Sequence, residues 1–312
     1  MMTKNYWKAF ALLLCFSFTI IACDDDDPVT PDPTTPPAAP TNVQATSLSS
    51  TGIAIRWTAS VDESNTNFAG YTITIADGTG AQVGDAQEVA AGINQLNVTD
   101  GLTAGTVYTF SIVARTDDDT ESTTPATVSW SPAARYTMTL GGSIDLHEFA
   151  SSLASGLQVY SAADGEPATF RVASPNNVNI DVVFDYRDAD QKLLIGSPTA
   201  SSFVSAGIYT SPQNQNPAKT TLIGKIWDDV AGFDEVFDSE ALDATAMTDK
   251  MIDFTNKSGN FVFACKTSDS HYAKIMVHEF NGEYLQGSDP NRNITVTVSY
   301  QPVANVAFAK GN

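Results

Sequence analysis

The chain has 312 residues, with 16 basic side chains against 36 acidic ones for a net charge of −20, and 42% of its residues are hydrophobic. Such acidity excludes nucleic acid as a partner, because binding there relies on Lys and Arg releasing the counterions of a phosphate backbone. The apolar content suffices for packed cores at this length, whereas the three cysteines, Cys15, Cys23 and Cys265, do not build a disulfide framework.

At the start, Lys4 and Lys8 precede a mostly apolar run from Ala9 to Ile21, the charged-then-apolar order of an export signal. The run ends in Asp24-Asp25-Asp26-Asp27, which would be costly in hydrocarbon, and it is too short for a comfortable membrane span. Ile20-Ile21-Ala22-Cys23 resembles the lipobox of bacterial lipoproteins, with an aliphatic residue three before the cysteine and a small one just before it. Cys15 follows Leu14 and lacks that small residue. The resemblance implies a signal peptide over 1–22, lipidation of Cys23, and a membrane partner reached through the lipid. Without Lys4 and Lys8 the mature chain carries −22.

Residues 23–40 hold prolines 28, 31, 33, 36, 37 and 40 among Asp and Thr, which predicts an extended spacer. At about 3.1 Å per residue, Asp24 to Pro40 reaches about 50 Å. The acidic run behind the cysteine is similar to the signal that sends lipoproteins of Bacteroidota to the outer face of the outer membrane. A lipid-anchored, surface-exposed location is therefore expected.

From 41 to 132 the pattern alternates as half-buried strands do. Ile53, Ile55 and Trp57 share one face, Tyr71, Ile73 and Ile75 another, and Tyr108, Phe110, Ile112 and Ala114 a third. Pro40-Thr41-Asn42-Val43, Ile55-Arg56-Trp57, Gly70-Tyr71 and Leu102-Thr103-Ala104-Gly105-Thr106-Val107-Tyr108 resemble a fibronectin type III domain. That family implies a sandwich of about seven strands whose Tyr108 hydroxyl bonds backbone at a strand corner. Asp117-Asp118-Asp119 falls in the loop between the last two strands, as a solvated turn. Gly78, Gly80 and Gly84 fit a hairpin loop and have the wrong spacing for dinucleotide binding.

After the joint Ser131-Pro132-Ala133-Ala134, a second, mostly antiparallel β domain with little helix is expected from 136 to 310, making the chain all-β. Val178 to Tyr186 and Ile294 to Tyr300 alternate, and Phe261, Phe263 and Cys265 share a face that makes Cys265 a buried small hydrophobe. The spacing of Trp227, Val230, Phe233 and Phe237 predicts a short helix over a sheet edge. The closing strands, Phe261 to Ser268, Tyr272 to Ile275 and Ile294 to Gln301, are similar to those of HmuY-type haem-binding lipoproteins of Bacteroidota.

Few residues suggest chemistry. Of three histidines, His271 and His278 are seven apart on one predicted strand, which puts their rings on opposite faces. His278 then shares a solvent face with Tyr272, Lys274 and Met276. His147 and His278 are the haem candidates that the second resemblance implies. Asp228, Asp229, Asp234 and Glu235 lead an acidic cluster, continued by Asp238, Glu240 and Asp243, that is a calcium candidate or a solvated face. Asp181 and Asp185 lie on one strand face. No nucleophile elbow or phosphate loop occurs, though glycosidase carboxylates need no fixed spacing. The expectation is a non-enzymatic surface lipoprotein without a cofactor, binding a glycan or an outer-membrane or extracellular protein. A haem or metal carrier and a carbohydrate-active enzyme are the alternatives.

Overall fold

A computed structural model describes residues 35–136, 142–172, 176–201, 203, 219–233 and 236–309. The signal segment, lipidation at Cys23, and the metal candidates Asp234 and Glu235 lie outside the described residues. From Pro36 onward the chain forms one compact unit.

Seven strands make the first assembly: β1 (Thr41–Ser49), β2 (Gly52–Thr58), β3 (Phe68–Ala76), β4 (Gln87–Ala90), β5 (Gln95–Val98), β6 (Tyr108–Thr116) and β7 (Ala126–Trp130). They form two antiparallel sheets, ordered β1-β2-β5 and β4-β3-β6-β7. The alternation read from the sequence is the packing observed. Tyr71, Ile73 and Ile75 stand opposite Ala114, Ile112 and Phe110 across the β3–β6 ladder, and all six are buried. Ile53, Ile55 and Trp57 meet them from β2, and the Trp57 ring approaches Tyr71 edge-on at 5.3 Å. The Thr103 N–H donates to the Tyr108 hydroxyl at 3.1 Å, the expected strand-corner bond.

The second assembly is also antiparallel. One of its sheets combines β10 (Gly156–Ser161), β11 (Glu166–Phe170), β12 (Val182–Arg187), β13 (Lys192–Gly196) and β15 (Met251–Asp253). The other follows the order β14 (Leu222–Trp227), β16 (Phe261–Lys266), β17 (Tyr272–Val277), β18 (Asn293–Tyr300) and β8 (Ala134–Arg135), with β9 (Ser143–His147) also on β18. Phe261, Phe263, Cys265, Ile275, Val277, Val296 and Val298 bury one face of this second sheet against Leu157, Val159, Val182, Phe184 and Ile195.

The opposite face of that sheet corrects two expectations. Tyr272, Lys274 and Met276 are buried there, not solvated as strand alternation suggested. The cover is the segment after Trp227, whose described residues show a single 3-10 turn at Phe233 in place of the predicted helix. Among its described residues the chain runs irregularly, with turns such as Val236 N–H to Phe233 O at 2.9 Å. The apolar spacing still has a meaning, since Val230, Phe233 and Val236 pack with Trp227 on Val262 and Met276. The aspartates and Gly232 between them favour turns over a continuous helix.

The two assemblies are joined closely. Ser131 and Ala133 of the joint are fully buried, and Gln301 Nε2 donates to Pro132 O at 3.0 Å. Ala45 of β1 exchanges backbone hydrogen bonds with Asp238, at 2.7 and 3.0 Å, while the Arg56 guanidinium lies 4.1 Å over the Phe237 ring. The end of the chain then returns to the first assembly, where Phe308 packs 5.0 Å from Trp130 inside the sandwich core.

Candidate functional site

The antiparallel ladders bring three loops to one end of the sandwich. Thr41 pairs with Thr58, Arg56 with Gln95, Gly70 with Ala90, and Phe68 with Thr116. The connections 59–67, 91–94 and 117–125 therefore share the end at which β1 begins. Polar bonds fix their shape: Glu63 Oε1 accepts the Gly92 N–H at 2.7 Å, Asp117 N–H donates to Asn67 O at 2.9 Å, and Asp62 Oδ2 accepts the Ala38 N–H at 2.7 Å. On this frame Val61 is 84% exposed and Ile93 51% exposed. Val61 borders an open hollow of about 580 Å³ with Ser60, Glu63, Ser64, Ala91 and Gly92. Asp62, Glu63, Asp117, Asp118, Asp119 and Glu121 make the same end acidic. Within the Asp117–Asp119 turn, Asp118 accepts from the Thr116 hydroxyl at 2.6 Å and Asp119 pairs with Arg115 at 2.9 Å. Neither Val61 nor Ile93 was singled out from the sequence, because isolated aliphatic residues in loops carry no periodic signal.

Each histidine makes a contact of its own. His278 Nε2 lies 2.6 Å from the Thr297 hydroxyl, and burial lowers the pKa of its ring. His147 Nδ1 is 3.3 Å from Ala154 O on the neighbouring part of the sheet. His271 sits beyond the other end of β17, with its ring 4.5 Å from Tyr160. The described members of the acidic cluster are also dispersed into local roles. Asp228 pairs with Lys257, Asp238 pairs with Lys225, and Asp243 accepts the Thr245 N–H and hydroxyl at 2.8 and 2.7 Å. Asp229 instead lies against Gly259 at a positive φ of 55°.

Glu148, Asp188 and Asp289 form the group of three ligand-type side chains that the described residues bring close together. Arg292 occupies its centre. The guanidinium donates to Glu148 at 2.9 and 2.7 Å, to Asp188 at 2.8 and 2.9 Å, and to Asp289 at 3.2 Å, with its face over Tyr186. These bonds, those to Glu148 foremost, raise the guanidinium pKa further. The arrangement clamps the loop before β18 to the start of the segment after β9, and a cation already fills it.

Asp181 and Asp185 are both buried. Asp181 accepts the Val159 N–H at 2.9 Å with Lys219 Nζ 3.4 Å away, and Asp185 faces the Phe149 N–H at 3.4 Å. Burial pushes each carboxyl up to about 6. Cys265 is fully buried, which pushes its thiol up and leaves it a poor nucleophile.

Residues 38–129 match the fibronectin type III domain family. Among solved structures, the third fibronectin III domain of the human KIAA0343 protein is 17% identical, covering 31% of this chain and 84% of that one at a TM-score of 0.27. The FN5 domain of Drosophila Lar is 25% identical over 31% of this chain and 97% of its own, at a TM-score of 0.23. A chain described as a myokine structure is 21% identical over 31% and 98%, at 0.25. No curated protein matches the chain.

Proposed function

We propose that this chain is a lipoprotein anchored through Cys23 at the outer membrane, displayed on the cell surface, and that it binds a protein partner there without turning it over. The observation that supports binding is the loop end of the sandwich, where Val61 and Ile93 project from connections tied by the Glu63–Gly92 bond. Exposed apolar side chains on a fixed polar frame are a surface that gains by being covered. The hollow is lined by Val61, Ala91, Gly92, two serines and Glu63 with no aromatic ring, which favours a protein surface over a sugar ring stacked on aromatics. The surrounding carboxylates favour a partner with basic side chains. The lipid anchor and spacer are supported by Ala22-Cys23 and by the proline and aspartate run behind them.

The test uses cells expressing the full chain. An acyl-chain probe labels the native protein and not Cys23→Ala, and the native protein retains outer-membrane or extracellular proteins in a salt-dependent way. A Val61→Asp/Ile93→Asp double variant loses at least about tenfold in affinity, about 1.4 kcal/mol, at an unchanged unfolding midpoint. Undiminished binding by the double variant overturns the assignment of this surface. Persistent labelling of Cys23→Ala overturns the anchor. Hydrolysis of a polysaccharide panel, or a haem absorbance band retained by the native protein, replaces the reading with an enzyme or a carrier.

A further inference from the structure

Lys274 stands in the middle of β17, in register with Ala264 of β16 and Ser299 of β18, and is completely buried. Its Nζ lies 4.7 Å from the Trp227 ring and 5.5 Å from the Trp130 ring, and finds no hydrogen-bond partner among the described residues. Trp227 ends β14 of the second assembly, whereas Trp130 ends β7 of the sandwich. Both assemblies therefore contribute a wall to the site of one amine. Trp130 is held in place by its own Nε1, which donates to the Ser47 hydroxyl at 2.9 Å.

Among the described residues, the charged groups around Lys274 are engaged elsewhere. Asp238, on the covering segment, accepts from Lys225 of β14 and from the Ser239 N–H. Arg135 of β8 lies over Phe233, Arg56 of β2 over Phe237, and Lys266 of β16 over Tyr272. His278, at the end of β17, meets Thr297. The sandwich strands β1 and β7 carry no titratable side chain, and neither does the returning segment 302–309. On the sandwich side, the Thr46 hydroxyl is likewise buried without a hydrogen-bond partner among the described residues, next to the Ala45 backbone that bonds Asp238.

A charged ammonium loses its hydration here, and two indole faces replace only part of it. We propose that the seam between the sandwich and the second assembly closes around an uncharged Lys274, so that closure releases a proton and the seam is a protonation-gated contact. Desolvation lowers the amine to about 7, Asp238 opposing that shift and Lys225 adding to it. In an opened seam the amine keeps its ordinary value of 10.5 and holds its proton over the range between. Closure therefore strengthens as pH rises from about 7 to about 10.5, up to about tenfold per pH unit, and is indifferent to pH below and above that window.

The test is a titration of the full chain labelled with 13C at lysine Cε. One lysine resonance, protected from acylation of accessible amines and missing in Lys274→Met, is expected to titrate near neutrality. The unfolding midpoint of the native chain is expected to rise between pH 7 and pH 9.5, and that of Lys274→Met to start higher at pH 7 and stay level. A protected lysine titrating at or above 10.5 overturns the proposal, because it shows a charged amine with a partner. So does a Lys274→Met chain that keeps the native pH dependence. If the variant does not fold, the titration of the protected resonance in the native chain decides alone.

Discussion

Removing the Phe308 ring asks whether the end of the chain is truly part of the sandwich core. The ring is 7% exposed and sits 5.0 Å from Trp130, and the residue's carbonyl accepts from Gln301 Nε2 at 3.4 Å. Truncating a buried phenylalanine to alanine costs about 3–5 kcal/mol through lost transfer energy and the cavity left behind. Phe308 lies at the margin of the core, where neighbours can settle into the gap, so Phe308→Ala is expected near the lower figure, about 3 kcal/mol. With a urea dependence of about 3 kcal/mol per molar, the midpoint moves down by about 1 M. The assay is urea unfolding of the full chain followed by indole emission, to which Trp130 contributes together with Trp57 and Trp227. A shift below about 0.2 M with unchanged emission would refute the reasoning, since the sandwich would then be complete without the returning segment.

Two further outcomes are expected from the same unfolding assay. Tyr108→Phe removes the acceptor of the Thr103 N–H and should cost about 1 kcal/mol, against about 3–5 for Trp57→Ala, and equal midpoints for both variants and the native chain would rule out the strand-corner bond and the core placement together. Asp181 and Asp185 give the acid side a sign. Their folded pKa values, raised mainly by burial to about 6, mean that the folded chain binds more protons than the unfolded one between the ordinary carboxyl value and about 6. Stability from these groups is thus fully present below about pH 4 and lost as pH rises through 6, by about 3 kcal/mol for each. Lowering the pH from 7 to 5 should raise the native midpoint, and Asp181→Asn/Asp185→Asn should flatten that rise. A native midpoint that falls over this range would count against the burial of both groups.

Alternation along a strand was enough to predict the two faces of β3, β6 and β18, because side chains two apart share a face whatever lies around the sheet. It could not say what each face meets. The run Tyr272-Ala273-Lys274-Ile275-Met276-Val277 reads as one apolar and one mixed face, and a lysine in the mixed face suggests solvent. Only the tertiary arrangement covers that face, with turns after Trp227 from one side and Trp130 from the other. The tyrosine corner was readable because its chemistry is local, with Thr103 and Tyr108 five residues apart. Arg292 and Glu148 are 144 residues apart, and no spacing rule marks such a pair. The same holds for Val61 and Ile93, which share one end of the sandwich only because four ladders pair in the observed registers.

The seam also bears on how the chain would present the binding face proposed for its loop end. A sandwich on a free tether can bind, but it must give up orientational freedom each time it docks. Here residues 131–133 of the joint are buried, Asp238 bonds β1, and Phe308 enters the sandwich core, so three separate stretches of chain hold the first assembly against the second. Part of the ordering cost of presenting Val61 and Ile93 is thereby met on folding, before any partner arrives. Closing that contact around an uncharged lysine makes this preorganisation depend on proton concentration above neutrality. If the loop end is the binding face and Lys274 gates the seam, affinity should grow from pH 7 to pH 9 in the native chain and stay level in Lys274→Met. A partner whose own basic groups stay charged over that range isolates the effect, and equal pH profiles for both chains would uncouple the seam from binding.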